Sequence, residues 1–272
     1  MNLTDICLNI SNRQFKSDID QVLKRAETAN VSRIVVVGTD VDSSRICADW
    51  ADQREQLFAT AGVHPHDADQ VTDRWLEDLR AMAMKDSVVA IGETGIDFNR
   101  NYSSRENQIA CFGEQITLAQ ELDMPLFVHD RDSDGLVLEM LRAFDSSLGV
   151  VIHCFTGTAE ELNRYVSAGY SIGITGWICD QKRGQGLRNM ITDVPLNQLL
   201  IETDAPFLRP HNTPENWLAS HHISSQFKRR CEPAMLPFVL DTIAQHRTES
   251  IEEIAAATHR NAARLFNLPL SP

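Results

Sequence analysis

No two of the six cysteines are spaced as CxxC; Cys7, Cys47, Cys111, Cys154, Cys179 and Cys231 are scattered along the chain. That excludes a zinc ribbon or a thioredoxin-like motif and offers no compact disulfide framework, so a reducing compartment is expected. Long apolar runs are missing as well. No stretch reaches the ~18 residues of a membrane span, and Met1 leads into strand-like residues without the basic region and apolar core of a secretory signal. The expectation is a soluble, cytoplasmic protein with no membrane partner. Basic residues are scarce, 25 Lys and Arg against 38 Asp and Glu, for a net charge of −13. A chain this acidic is poorly suited to wrapping a long duplex by phosphate neutralisation. A small anionic substrate stays open, because a bound divalent cation supplies positive charge that residue counting omits. No linker rich in Pro, Gly or Ser divides the chain, and 43% hydrophobic residues suffice for a sizeable core, so residues 1–272 are read as one unit.

What is present is a repeat of apolar strand candidates: DICLNI from Asp5, RIVVVGT from Arg33, LFATAGVH from Leu57, VVAIGE from Val88, PLFVHD from Pro125, GVVIHCF from Gly149, YSIGIT from Tyr170 and LLIETD from Leu199. Between most of them lie stretches with apolar spacing near 3.6, such as Asp18 to Ala29, Trp75 to Met84, Glu106 to Glu121 and Glu160 to Ala168. Strand and helix alternating eight times over this length fit an α/β fold, a (β/α)8 TIM barrel of ~250 residues whose active site lies at the C-terminal ends of the strands. A doubly wound sheet is the runner-up; it would more often place a glycine-rich phosphate loop after the first strand, and Asp5 to Ser11 holds no glycine. Arg209 to Pro233 reads as a long loop over the barrel mouth. Helices are expected around Met235 to His246, Ser250 to Ala257 and Asn261 to Phe266.

The stretch Val88 to Asn101, VVAIGETGIDFNRN, organises the rest. Its apolar run reads as a buried parallel strand ending in Glu93, between Gly92 and Gly95, where the backbone can approach a ligand closely. Capping of a helix beginning near Ser103 is the bland alternative for Glu93. Other strands end alike, in His64 and His66, His129, His153 and Asp204. Any one of these histidines is more often a core or surface residue; five strand ends of metal-ligand type on one rim are not readily coincidental. Imidazole nitrogen with carboxylate oxygen suits Zn²⁺, Mn²⁺, Co²⁺ or Mg²⁺ rather than copper(I). A bound divalent ion makes hydrolysis the natural reaction class, with Asp204 as general base. Strand parity puts Glu202 on the face of Asp204 and one layer deeper, suited to orienting a ligand histidine.

GVHPH at Gly62 to His66, GETGIDF at Gly92 to Phe98, HDRD at His129 to Asp132, HCFTG at His153 to Gly157 and ETDAP at Glu202 to Pro206 together resemble the TatD family of metal-dependent deoxyribonucleases, of the amidohydrolase-type barrel superfamily. The resemblance covers nearly the whole chain. It implies Glu93, His129 and His153 as metal ligands, Asp204 as catalytic residue and possible further ligand, a divalent cofactor (Mg²⁺ first, then Mn²⁺ or Zn²⁺), and single-stranded DNA and RNA as substrates degraded 3′ to 5′. The departures are Cys7 and Asn9, where most members carry a His-x-His pair, and Cys231, where related sequences usually have asparagine. Loss of the pair puts the most buried metal position in doubt.

Arg131, Lys182, Arg183, Lys228, Arg229 and Arg230 are placed near the mouth. Each alone reads as ordinary surface charge, and as a group they could hold a few phosphates. His64 and Arg229 are expected to contact substrate. Phe98, Trp177 and Trp217 could stack bases, with core packing at least as good a reading for Trp177. A monomer is expected. Two other readings stay open: an amidohydrolase or deacetylase on the same barrel, and a non-catalytic binding protein.

Overall fold

The computed structural model describes residues 1–143, 148–221 and 223–269. One sheet contains, in sequence order, β1 Leu3–Leu8, β2 Val31–Val36, β3 Leu57–Ala61, β4 Val88–Asp97, β5 Leu126–Arg131, β6 Val150–Ile152, β7 Ser171–Ile174 and β8 Leu199–Ile201, with parallel pairing throughout. Leu8 bridges Ala205 just beyond β8, and the Asn9 N–H donates to the Ala205 carbonyl at 2.9 Å, which brings the two edges of the sheet together into the expected barrel. The strands read as continuous apolar runs because both faces are covered, by the barrel interior and by the helices outside.

The outer layer is α1 Ile19–Thr28, α2 Val41–Ala51, α3 Trp75–Ala83, α4 Arg105–Glu121, α5 Leu136–Leu141, α6 Ala159–Ser167, α7 Gln185–Met190, α8 Trp217–Ser220, α9 Leu236–Ala244 and α10 Ile251–Leu265. α2, α6 and α10 begin at capping boxes, Asp40 with Ser43, Thr158 with Glu161 and Ser250 with Glu253, each worth about 1 kcal/mol. The barrel interior is a narrow cluster of Ile6, Val35, Ala90, Phe127, Val151 and Leu200, closed at the bottom by Phe266 and Leu268 at the end of α10. Among the described residues no helix is long and apolar enough to cross a membrane.

Four expectations are corrected. The final helix is continuous, where two were expected, because Thr258 donates to the Ala255 carbonyl and His259 meets the Thr4 hydroxyl at 2.8 Å; these polar residues interrupt the apolar period without breaking the helix. β4 does not end at Glu93 but runs on to Asp97. Gly92 and Gly95, both at positive φ, serve the packing of β4 on β5: a Cβ would lie 2.3 Å from the Phe127 carbonyl at Gly92 and 1.9 Å from the His129 carbonyl at Gly95. Arg230 and Trp217 are buried, 1% and 5% exposed, so neither reaches substrate. The stretch from Arg209 to Pro233, read as irregular, carries α8 and a 3-10 turn at Ser225–Phe227.

Candidate active site

The C-terminal ends of the strands surround a pit of about 480 Å³ lined by His64, His66, Glu93, Asp97, His129, His153 and Asp204, with Arg131, Trp177 and Phe207 higher on its wall. Period-two alternation along β4 puts Glu93 and Asp97 on one face, four residues apart. Two buried glutamines of α4 pin the strand ends that carry the site. Gln115 pairs with Val63, accepting its N–H at 2.8 Å and donating to its carbonyl at 3.0 Å, just before His64. Gln108 accepts from the Asp97 N–H at 2.9 Å. Cys154 and Asp204 adopt left-handed backbone (φ 47° and 52°) just past β6 and β8, the uncommon conformation that concentrates at functional sites.

Glu93 Oε1 is the centre of the arrangement. His153 Nε2 lies 2.8 Å from it, His64 Nε2 3.2 Å and His129 Nδ1 3.3 Å. The His153 side chain is held from behind, as parity predicted: Nδ1 is 3.4 Å from Glu202 Oε2, while Glu202 Oε1 accepts from the Cys154 N–H at 2.5 Å. Each ring nitrogen thus faces a carboxylate, Nδ1 that of Glu202 and Nε2 that of Glu93, the arrangement that favours the doubly protonated, charged imidazole. Burial opposes that charge, but the Glu93 and Glu202 carboxylates outweigh it and raise the His153 pKa well above the ordinary imidazole value. In the same way Glu93, buried, is held well below the carboxylate range by His153 and His64.

His64 has a different tautomer. Its Nδ1 accepts from the His66 N–H at 3.0 Å, which leaves the proton on Nε2. Burial lowers its pKa to about 4, so it is a neutral donor aimed into the pit. Spacing alone groups His64 with Glu93 and His129 as a candidate ion site; the hydrogen bond to Nδ1 argues for a donor role instead. His129 fits an ion better. Its Nε2, buried and 3.4 Å from Asp97 Oδ2 in unfavourable geometry, has no hydrogen-bond partner among the described residues, and with the ring proton on that side Nδ1, 3.3 Å from Glu93 Oε1, can turn a lone pair into the pit. Asp97 is otherwise engaged, with His66 Nε2 at 2.7 Å and the Arg100 N–H at 2.8 Å.

Asp204 stands across from Glu93. Asn9 Nδ2 donates to its Oδ1 at 2.9 Å, and the Cys7 thiol approaches the same oxygen at 3.5 Å. Burial, with the nearby Glu93 and Glu202 charges and against the pull of His153, pushes the Asp204 pKa up to about 7. The two residues that replace a His-x-His pair therefore converge on Asp204, Asn9 as a hydrogen-bond donor. Burial, then the Asp204, Glu202 and Glu93 carboxylates, raise the Cys7 thiol well above its usual value, so it is not a thiolate by default.

The structure thus gathers Glu93, His129, His153, Asp204 and His64 in one pit and leaves Arg229 outside it, in an adjoining hollow. Two residues were missed. Asp97 was legible as the i+4 neighbour of Glu93 on a strand. Phe207, 49% exposed at the pit wall, had no signal, since APFL reads as core.

These features agree with comparisons to known proteins. The model of the family described as TatD related DNase matches residues 4–267. The 3′-5′ ssDNA/RNA exonuclease TatD of Cronobacter sakazakii is 44% identical over 269 residues, covering 98% of this chain and 99% of that protein. Its namesake in Shigella flexneri is 42% identical over 266 residues, 97% and 98% of the two chains. Among solved structures, the TatD homologue YJJV of Escherichia coli K12 superposes with a TM-score of 0.87 at 29% identity over 98% of each chain. The phosphotriesterase homology protein of E. coli, at 13% identity, TM-score 0.66 and 97% and 98% coverage, shares the fold. On a family match that spans nearly its whole length, the chain belongs to the TatD-related DNase family.

Proposed function

We propose that the protein is a divalent-metal-dependent nuclease that shortens single-stranded DNA and RNA from the 3′ end, as the names of its relatives suggest. The observation that carries the reading is Glu93 Oε1 at the meeting point of three imidazoles, His153 Nε2 at 2.8 Å, His64 Nε2 at 3.2 Å and His129 Nδ1 at 3.3 Å, all lining one pit. Nitrogen and oxygen donors of this kind fit a divalent ion. Glu93, His129 and His153 would hold it, with Asp204 as a further oxygen donor. Imidazole donors suit Mn²⁺ or Zn²⁺ better than Mg²⁺, which prefers oxygen; Mg²⁺ is the first ion to test all the same. When bound, such an ion acidifies a water and polarises a phosphoryl oxygen.

The chain's own residues supply the rest. Asp204, held by Asn9 and already high in pKa, takes a proton from the attacking water as its oxygen adds to phosphorus and the P–O bond to the departing sugar oxygen breaks, and the carboxylic acid so formed can return that proton to the leaving oxygen. His64 Nε2–H, neutral, donates to a non-bridging phosphate oxygen without adding charge near the site. Glu202 keeps His153 in one tautomer. A pit of about 480 Å³ is near the small-ligand end of the usual ~300–1,000 Å³ range, room for a strand terminus and not for a continuous duplex. We read the working unit as a cytoplasmic monomer.

The test strips the protein with chelator and resupplies Mg²⁺, Mn²⁺ or Zn²⁺. Substrates are a 5′-labelled single strand of DNA, one of RNA, the DNA strand blocked at its 3′ end, a single-stranded circle and an acetylated amino-acid ester. Stepwise shortening only where the 3′ end is free supports the reading. Equal cleavage of the circle replaces it with an endonuclease, and ester hydrolysis alone replaces it with an amidohydrolase.

A further inference from the structure

Beside the pit lies a second hollow of about 920 Å³, and Leu208 lines both. Its walls carry Lys182, Arg183, Arg209, Lys228 and Arg229 against the single carboxylate of Asp180. Among the described residues, five cations against one anion is a local inversion in a chain of net charge −13. One wall is the turn after β7, the other the loop after β8, and they meet tightly: a Cβ at Gly176 would lie 2.0 Å from the Leu208 carbonyl.

Both walls are braced by charges that are used up internally. Arg188 donates to the carbonyls of Ile178 (2.6 Å), Asp180 (2.7 Å) and Gln181 (2.8 Å), fixing the turn that carries Lys182. Asp180 accepts from the Lys182 and Arg183 N–H groups at 2.9 Å each and from Arg183 Nε at 2.7 Å. On the other wall Arg209 donates to the Lys228 carbonyl, and buried Arg230 anchors the stem through Asp18 at 2.7 Å and Glu232 at 2.7 Å. The exposed side chains of Lys182, Lys228 and Arg229, in contrast, bond to no carboxylate or carbonyl among the described residues. Cations on braced loops, with no internal partner and aimed at one groove, suit a polyanion of regular charge spacing. Where groove and pit join, exposed Phe207 and half-buried Trp177 present aromatic rings, and the Arg183 guanidinium lies 4.4 Å over the Trp177 ring. Aromatic rings interleaved with cations are how single strands are held without sequence preference.

We infer that this groove is the track for the body of the substrate: with the 3′ end in the pit, the strand passes Phe207 and Trp177 and lays about three phosphates, one per unpartnered cation, along Lys182, Lys228 and Arg229. The inference rests on the nuclease reading and adds to it a footprint and a direction of exit.

The experiment compares the metal-loaded wild type with K182A/K228A/R229A on a dinucleotide and on a single strand of about twelve nucleotides. It also measures binding of the labelled longer strand by anisotropy in EDTA, across a salt series. The track predicts that wild type favours the longer strand and that the variant loses about tenfold or more of that advantage, in KM rather than kcat. The salt dependence of log K should flatten by about 2, three phosphates at about 0.7 each. A variant that keeps the wild-type length preference and salt slope overturns the track while leaving the nuclease standing. If neither enzyme cleaves either substrate, the nuclease reading itself falls, and salt-sensitive binding in EDTA that the variant keeps overturns the track independently of cleavage.

Discussion

Two buried charged clusters in this barrel are built on opposite plans. Behind the strap after β8, Arg230 binds both oxygens of Asp18 at 2.8 and 2.7 Å and Glu232 at 2.7 Å, while Arg25 adds a bidentate pair to Glu232 at 2.8 and 3.0 Å. Two guanidiniums answer two carboxylates, and Arg230 Nε, buried without a hydrogen-bond partner among the described residues, belongs to a guanidinium 3.9 Å from the Phe227 ring. At the rim of the barrel, Glu93, Asp97, Glu202 and Asp204 meet four imidazoles, and among the described residues no Lys or Arg side chain bonds to any of them. Guanidinium charge is permanent, so the first cluster is a lock. Imidazole charge is a proton that can be exchanged for a divalent ion, so the second cluster can change its occupant.

Replacing one group in each cluster tests this difference. The largest effect is expected from Glu93→Gln, which keeps shape and removes the central charge. Metal affinity and hydrolysis should fall by more than the about 10–100-fold that an outer partner costs, and added Mn²⁺ should no longer raise the melting temperature; calorimetry and thermal melts read both. A folded Glu93→Gln variant with wild-type affinity would remove Glu93 from the ligand set. Next, Arg230→Met leaves Asp18 and Glu232 short of a buried partner and should cost about 3–5 kcal/mol in denaturant unfolding, with metal affinity unaltered. A shift in metal affinity instead would mean that the two clusters are one system. Glu202→Gln removes the charge that orients His153 and should weaken the ion by about 10–100-fold, with a smaller loss of stability than Arg230→Met because the amide oxygen can still accept from the Cys154 N–H.

The smallest effect tests a third site, at the closed end of the barrel. Half-buried His259 is held below its ordinary pKa of 6.5 by burial and by the Arg33 charge. A depressed histidine means that the unfolded chain binds the extra proton, so this contribution is complete above 6.5 and is lost as pH falls below it. His259→Gln should flatten that acid-side slope, by less than any effect above because the group is only half-buried. An unchanged slope would assign the acid sensitivity to His64, the rim histidine whose pKa is also depressed.

How much of this was legible from sequence depends on distance along the chain. Strands β1 to β8 were readable because a doubly covered strand is a short apolar run, and Glu93, His129, His153 and Asp204 because each closes such a run. Glu202 followed from parity with Asp204. Arg230 was misplaced at the mouth because its partner Asp18 is remote in sequence, and no local pattern distinguishes a guanidinium in a buried pair from one in solvent. Trp217 was misplaced because its surroundings in sequence read as loop, while its ring is buried in the core cluster.

Sequence by itself determined the alternation of strand and helix, hence the barrel, and the residue types along its rim, since these are set by local period and by which side chain ends each strand. Tertiary structure alone decided what those residues do. The His66 N–H fixes the proton on His64, Glu93 and Glu202 together favour the charged ring of His153, and Asn9 turns from an absent ligand into the donor that holds Asp204. Protonation, tautomer and exposure depend on neighbours supplied by other strands, and only closure of the barrel brings those neighbours within hydrogen-bonding distance.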